Sequence, residues 1–286
     1  MSDAVHRFLL EDLDIRGTLI RLGPTWHELQ ARRDYAPAVR DMLGELAAVT
    51  AMIGSSLKMP GRLSFQLQGH GPVRMLVMDC DEQMRLRGMA QTREGASIAA
   101  GTVPELLGDG QLVLTLQTDT APDRPYQSVV PLAGSRLADI FEHYLEQSEQ
   151  TPTHIMLAAD ERYACGLLLQ KLPDADRRDA DGWNRILHLA ATVSAAELAL
   201  PAETLLGRLF PEETVRLFDP VPVHYHCPRD EEKVLDMLRS LGREEVEDIL
   251  EEHDQILIQD DICNHEYRYG EEILETLFTP PKRTLH

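Results

Sequence analysis

The sequence predicts an α+β protein in three parts: a sheet-rich N-terminal core domain (1–178), a helical linker packed on it (179–220) and a small C-terminal α+β module (221–286). Three observations carry that division. Short β-patterned runs cluster before Leu172 with few helices between them, as in an α+β domain built on largely antiparallel sheet. Beyond the polar stretch P-D-A-D-R-R-D-A-D-G (173–182), which has turn formers and no apolar period, the patterning becomes helical. The charge then turns acidic: from Arg229 to Leu277 seventeen Asp and Glu face five Lys and Arg, a net of −12 within a chain total of −20.

Each element follows from local pattern. The run L-D-I-R-G-T-L-I-R-L, within residues 8 to 22, reads as β and ends at Gly23-Pro24. Pro37 then opens a helix in which Val39, Met42, Leu43, Leu46, Val49, Ile53 and Leu57 recur at helical spacing until Met59-Pro60-Gly61 stops it. The alternating R-L-S-F-Q-L-Q meets G-H-G-P and resumes as V-R-M-L-V-M, a hairpin signature. Further strands are predicted at M-R-L-R-G-M, Q-L-V-L-T-L-Q, Y-Q-S-V-V, H-I-M-L-A-A and Y-A-C-G-L-L-L-Q, with one helix from about Ser135 to Gln147 among them.

The linker should hold one helix through Trp183, Ile186, Leu187, Leu189, Ala190 and Val193. Two shorter ones should follow, at Leu205 to Phe210 and at Val215 to Phe218, punctuated by Pro201, Pro211 and Pro220. These helices are strongly apolar and need cover, for which the N-terminal sheet is the nearest candidate. From Val221 the chain reads as a strand to Cys227, helices at about 230–240 and 244–252, then I-L-I-Q and a turn at D-D-I-C-N-H. A module of this size has a small core, and such modules often need a staple.

Composition excludes several functions. Hydrophobic residues at 43 % and charged ones at 27 % describe an ordinary globular protein. A net charge of −20 argues against nucleic acid and anionic membrane, which are held through Lys and Arg. The opening M-S-D-A-V-H-R-F-L-L-E-D is too short in apolar residues for a signal peptide, and no stretch reaches the roughly 18 apolar residues that span a bilayer. A cytoplasmic protein is therefore expected, where a cysteine pair more often binds metal or senses redox state than forms a structural disulfide. No nucleophile elbow, H-E-x-x-H or Walker sequence is present, so the chain is not expected to be an enzyme. Cys80 and Cys165 lie in apolar runs and read as core thiols, and His154 and His188 as core histidines.

The segments V-R-D-M-L-G-E-L-A-A-V-T-A-M-I-G-S-S-L-K, G-R-L-S-F-Q-L-Q-G-H-G-P-V, M-R-L-R-G-M-A, Y-Q-S-V-V-P-L, Y-L-E-Q-S-E-Q-T-P-T and L-L-G-R-L-F-P-E-E-T-V-R-L-F occur in order within a match that runs over almost the whole chain. Together they resemble the heat-shock protein 33 family of redox-regulated holdase chaperones. The resemblance implies a chaperone that uses no ATP, with a linker docked on a core and a C-terminal switch in which four thiolates hold zinc. Oxidation would form disulfides, release the metal and expose apolar surface that captures unfolding clients. Oxidation-linked homodimers are consistent with it.

The switch departs from the family. Where the family carries C-x-C and C-x-x-C, this chain reads Tyr225-x-Cys227 and Asp260-x-x-Cys263, so neither short-range disulfide can form. Three readings of Cys227 and Cys263 stay open. One is a degenerate zinc site completed from Asp260, Asp261, His224, His226 or His265. Another is a Cys227–Cys263 disulfide formed on oxidation, which would staple the module by on the order of 4 kcal/mol. In the third both are buried thiols without a role. Zinc is thus a candidate cofactor and none is required.

The functional expectation is an ATP-independent cytoplasmic holdase for partly unfolded proteins. Its client-facing residues are expected to be Trp183, Ile186, Leu187, Leu205, Leu209, Phe210 and Phe218, since a hidden apolar patch needs a cover. The alternatives are a thiol-dependent oxidoreductase using Cys227 or Cys263, disfavoured by the acidic surroundings of both, and an adaptor whose acidic module binds one basic partner.

Overall fold

The computed structural model describes residues 3–57, 61–98, 100–118 and 124–278. Met59-Pro60, expected to stop the first long helix, and the last residues of the C-terminal module lie outside the described residues. The chain divides into two compact units, Met1–His226 and Cys227–His286.

The first unit opens with the hairpin β1 (Ala4–Leu10) and β2 (Ile15–Leu22), a short helix α1 (Pro24–Gln30) and the long α2 (Pro37–Gly54). Strands β3 (Gly61–Gly69), β4 (Val73–Asp81) and β5 (Arg85–Thr92) follow, then α3 (Val103–Leu107), β6 (Gly110–Thr118) and β7 (Tyr126–Pro131). Helix α4 (Leu137–Glu149) leads to β8 (Thr153–Ala159) and β9 (Ala164–Lys171). A short helix α5 (Ala175–Arg178) ends the core segment, and residues 179–220 carry α6 (Gly182–Ala190), α7 (Ala195–Leu198) and α8 (Ala202–Leu209). Three short strands close the unit: β10 (Val215–Leu217), β11 (Val221–Pro222) and β12 (His224–Tyr225).

Two sheets result. The first runs β10-β1-β2-β9-β8, with β11 also paired to β1, and every pairing is antiparallel. The second runs β12-β5-β4-β3-β6-β7, antiparallel except where β12 joins β5 in parallel. Helix α2 lies in the core that both sheets share. It is apolar almost all round, burying Val39, Met42, Leu43, Leu46, Ala47, Ala48, Val49, Ala51 and Met52, as a helix enclosed on all sides must be.

The first sheet is apolar on both faces, because side chains alternate along a strand. In β2, Ile20 and Leu22 face the core with α2 while Ile15 and Leu19 face the other way. In β9, Ala164 and Leu168 take the first side, and Cys165, Leu167 and Leu169 the second. That second side, with Phe8 and Leu10 of β1, is covered by Ile186 and Ala190 of α6, Leu198 of α7, Ala202, Leu205, Leu206 and Leu209 of α8, and Phe210. Phe8 meets Phe210 at a ring separation of 6.2 Å. Arg185 fastens the cover with ion pairs to Asp179 at 2.9 Å and Glu213 at 3.2 Å.

Several segments differ from expectation, among them the polar stretch 173–182, which holds the short helix α5. Residues 215–218, expected to be helical, place Val215–Leu217 in β10 on the edge of β1, with Leu217 opposite Phe8 and Val215 opposite Leu10. An apolar triplet is too short to have a period, and the free edge of β1 decides its conformation. The strand expected to open the C-terminal module binds instead into the first unit, through β11 to β1 and β12 to β5. Strand β1 starts at Ala4, ahead of the β-patterned run, because A-V-H-R has no regular alternation and its order comes from pairing with β2.

The second unit has its own core. Helices α9 (Glu231–Leu241) and α10 (Arg243–His253) are parted by Gly242, whose φ of 92° suits glycine. The hairpin of β13 (Ile256–Gln259) and β14 (Glu266–Tyr269) and helix α11 (Ile273–Phe278) complete it. Leu238, Val246, Leu250, Ile256, Tyr267, Tyr269, Ile273 and Leu277 are its buried cluster.

Two positions in the first unit set its stability in measurable ways. A Cβ on Gly17 would stand 2.0 Å from Cζ of Phe8, its cross-strand partner. Gly17→Ala is expected to cost about 1–3 kcal/mol, read by denaturant unfolding. Burial pushes the Glu45 carboxyl from 4.5 up to about 7, Asp41 adding to the shift and Arg136 opposing it. The folded protein then keeps a proton that the unfolded chain has released between those values, so stability present below pH 4.5 is lost as pH rises through about 7. The loss is on the order of 3 kcal/mol, and Glu45→Gln should flatten that stretch of the stability-against-pH curve.

Candidate functional site

Cys227 and Cys263 meet in the second unit, where they are joined as a disulfide. Their Cα atoms stand 6.0 Å apart, in the range such a bond requires. Cys263 is brought there by a turn built on Asp260. One carboxylate oxygen of Asp260 accepts the backbone N–H groups of Ile262 at 2.9 Å and Cys263 at 2.5 Å, while its own N–H donates to the His265 carbonyl at 2.8 Å. Asn264 takes a left-handed φ of 55°, which its short polar side chain tolerates. The turn thus sends both Cys263 and His265 inward.

His265 completes a cluster. Its Nε2 lies 2.7 Å from the Cys227 carbonyl oxygen. A carbonyl only accepts, so Nε2 carries a proton in this bond. The ligand atoms offered by Cys227, Cys263 and His265 all lie within 4.8 Å of one another, and the three residues are 8 %, 3 % and 8 % exposed. The segment after Cys227 is tied to the same hairpin. The Asp230 N–H donates to the Tyr267 hydroxyl at 2.9 Å, and the Arg229 guanidinium stacks 4.5 Å over the Tyr267 ring and donates to the Glu266 carbonyl.

The other residues singled out in the sequence lie elsewhere. Tyr225 sits in β12 opposite Leu86, half-buried in the first unit. His224 and His226 are exposed, the His226 N–H bonded to the Leu86 carbonyl at 3.0 Å. Among the described residues the cluster able to hold a metal is Cys227, Cys263 and His265, without His226 or Asp260. A four-thiolate zinc site therefore does not fit this chain; its donors are two thiols and one imidazole. By sequence His265 is one of five candidates, and only the long-range contact with Cys227 sets it apart.

Burial pushes the thiols of Cys80 and Cys165 up to about 12, which leaves them inert packing groups. His154 pairs with Glu142 at 3.0 Å, and His188, expected in the core, is exposed. Of the expected client-facing residues, Ile186, Leu205, Leu209 and Phe210 are buried against the first sheet and Trp183 packs partly against it. Leu187 is half-buried, and Phe218 is exposed beneath the Arg216 guanidinium at 5.2 Å.

Residues 3–270 match the family described as Hsp33 protein. The chain belongs to the Hsp33 family. Hsp33 relatives include the 33 kDa chaperonin of Methylobacillus flagellatus, 40 % identical over 282 residues, covering 98 % of this chain and 95 % of that one. The 33 kDa chaperonin of Nitrosococcus oceani is 40 % identical over 278 residues, covering 97 % and 94 %. The fold matches the crystal structure of the Thermotoga maritima 33 kDa chaperonin, a heat shock protein 33 homolog, with a TM-score of 0.81 at 21 % identity, covering 97 % and 98 % of the two chains. Membership of the Hsp33 family makes the chain a chaperone and not an enzyme. Among the described residues no helix is long and apolar enough to cross a membrane.

The disulfide should act on the second unit as a cross-link. Reduction with dithiothreitol is expected to lower that unit's stability by on the order of 4 kcal/mol, the entropy of a loop closed across 36 residues. Hydrogen exchange of the β13–β14 hairpin reads it, and Cys263→Ser should remove the difference between oxidised and reduced protein.

Proposed function

We propose that this Hsp33-family chaperone is an ATP-independent cytoplasmic holdase whose client surface is the second apolar face of the first sheet together with the linker helices that cover it. The observation that carries this reading is the two-faced sheet. Its inner face is closed by α2, a helix of 18 residues, whereas its outer face depends on α6, α7 and α8, of 9, 4 and 8 residues. Isolated helices shorter than about 12–15 residues are marginal in water, so these persist only while docked. Each large side chain they bury contributes about 1.5–3 kcal/mol, and those contributions are lost together when the cover lifts.

Lifting it would present Phe8, Leu10, Ile15, Leu19, Leu167 and Leu169 as a continuous apolar surface, with Ile186, Leu205, Leu209 and Phe210 on the released segment. Such a surface recognises exposed apolar segments of any unfolding protein without reading their sequence. An oxidoreductase finds no support in the site, since both cysteines are buried and are joined to each other. Stress enters through heat acting on the marginal cover, and through the redox state of Cys227 and Cys263.

Light scattering of a thermally aggregating client tests the reading. The purified protein should suppress aggregation of several unrelated clients and release them when refolding conditions return. Phe210→Ala, which should destabilise the cover by about 3–5 kcal/mol, is expected to suppress at a lower temperature than the parent. Absence of suppression by reduced and oxidised protein alike would remove the holdase assignment.

A further inference from the structure

The inner face of the first sheet changes character where α2 ends. Val5 and Ile20 face α2 in the core, and side chains alternate along a strand, so the cross-strand partners Arg7 and Thr18 fall on that same face, as does Arg16. With Ser55, Ser56 and Leu57 just past the helix, and Phe218 just past β10, they line a cavity of about 390 Å³. We propose that this cavity binds a phosphate ester carrying a flat apolar ring, the phosphate on Arg7, Arg16 and Thr18 and the ring against Phe218 and Leu57.

Charge and unmet hydrogen bonding single the cavity out. Its lining has two arginines and no carboxylate, in a chain whose net charge is −20. The exposed Arg7 guanidinium makes no ion pair and no side-chain hydrogen bond among the described residues. Arg16 is already fixed in place, its Nε donating to Gln170 Oε1 at 2.7 Å and its Nη2 to Glu149 at 3.1 Å. A guanidinium has five N–H groups, so three remain for a ligand, in the planar fork that suits phosphate oxygens. Thr18 is only 7 % exposed, yet its hydroxyl has no hydrogen-bond partner among the described residues. Buried polar groups are nearly always partnered, and a phosphate oxygen would supply the acceptor.

Two features oppose an anion, and both are weaker than the arginines. The C-terminal end of α2 carries about half a negative charge, but the Ser55 and Ser56 hydroxyls donate to the Met52 carbonyl at 2.8 and 3.4 Å, and two guanidinium charges outweigh what is left. Glu149 offsets part of the Arg16 charge, but its side chain is 42 % exposed and water screens it. Two guanidiniums also match a phosphate monoester, with nearly two negative charges at pH 7, better than a carboxylate with one.

The apolar wall selects an ester over inorganic phosphate. Phe218 and Leu57 are 39 % and 37 % exposed, and the Arg216 guanidinium, 5.2 Å from the Phe218 ring centre, braces that ring. A flat ring laid against them takes out of water apolar surface that the fold leaves uncovered. The volume lies within the roughly 300–1,000 Å³ of small-ligand sites, and the overall negative charge repels longer polyanions. The site lies on the opposite face of the sheet from the surface proposed for clients.

Calorimetric titration of the full-length protein with phenyl phosphate, adenosine 5′-monophosphate, inorganic phosphate and phenol tests the assignment. At least one ester should bind once per chain, more tightly than inorganic phosphate or phenol and more weakly as salt rises; the tighter ester tells a nucleotide from a smaller ligand. Arg7→Gln should weaken ester binding roughly 10–100-fold and Thr18→Val about 2–10-fold. Phe218→Ala should bring the esters down to the affinity of inorganic phosphate. Failure of both esters to bind at millimolar concentration overturns the proposal, as does a folded Arg7→Gln variant with the parent's affinity, and esters that bind no better than inorganic phosphate overturn the ring's part in it. If circular dichroism shows Arg7→Gln unfolded, amide NMR of the parent decides: the tighter ester should shift Arg7, Thr18 and Phe218, and an unmoved Thr18 overturns the site. The titration does not read client binding, so its failure leaves the holdase reading standing.

Discussion

The outer face of the first sheet is the constraint from which the rest of the molecule follows. Strands β2 and β9 lie in the middle of that sheet, and both carry apolar side chains on both sides. A sheet with one polar face could end against solvent; this one cannot. Helix α2 fills one side, and the other has to be met by something later in the chain. The linker meets it with short helices whose polar sides are solvated and whose apolar sides have no other partner. Stability and function therefore draw on the same contacts. The Phe8–Phe210 pair stabilises the fold, and under the holdase reading proposed above the same pair would conceal the client surface.

Much of this is legible in the sequence, for reasons that can be named. Helix α2 is legible because its apolar period is long and Pro37 marks its start, and the β3–β4 hairpin because alternation on both sides of G-H-G-P leaves no other reading. Strand β9 is legible as a continuous apolar run, the mark of a strand buried on both faces. What escapes is short and non-local. V-R-L at 215–217 has three residues and no period, so the open edge of β1 chooses strand over helix. The segment from Val221 is legible as extended, but nothing near it in sequence announces pairing with Ala4, Val5, Arg85 and Leu86.

The redox centre divides in the same way. Two cysteines bracketing an acidic segment can be seen at once, and so can the absence of the two partners that the family would supply. Which histidine stands beside them cannot. In H-Y-H-C an extended strand turns His226 away from Cys227, but local spacing does not choose between His224 and the His265 of C-N-H. The choice is made by the Asp260 turn and by Asn264 in a left-handed conformation, which together rotate His265 inward. His226 belongs to the first unit, its N–H committed to the Leu86 carbonyl.

The surviving pair also changes what oxidation can do mechanically. Short-range disulfides of the C-x-C and C-x-x-C kind close loops of a few residues and cross-link almost nothing, so trading a four-thiolate metal for them surrenders the long-range tie and lets the module loosen. Here the disulfide joins two residues 36 positions apart. Closing that loop removes entropy from the unfolded chain worth on the order of 4 kcal/mol. Oxidation of the pair then adds a staple, and the looser form is the reduced protein. Within this acidic unit, Glu231, Glu232, Glu244 and Glu245 stand in the first turns of its two main helices, where the macrodipole favours them. Oxidation of this pair would therefore tighten the unit, opposite in sense to a switch that unfolds when its thiols are lost.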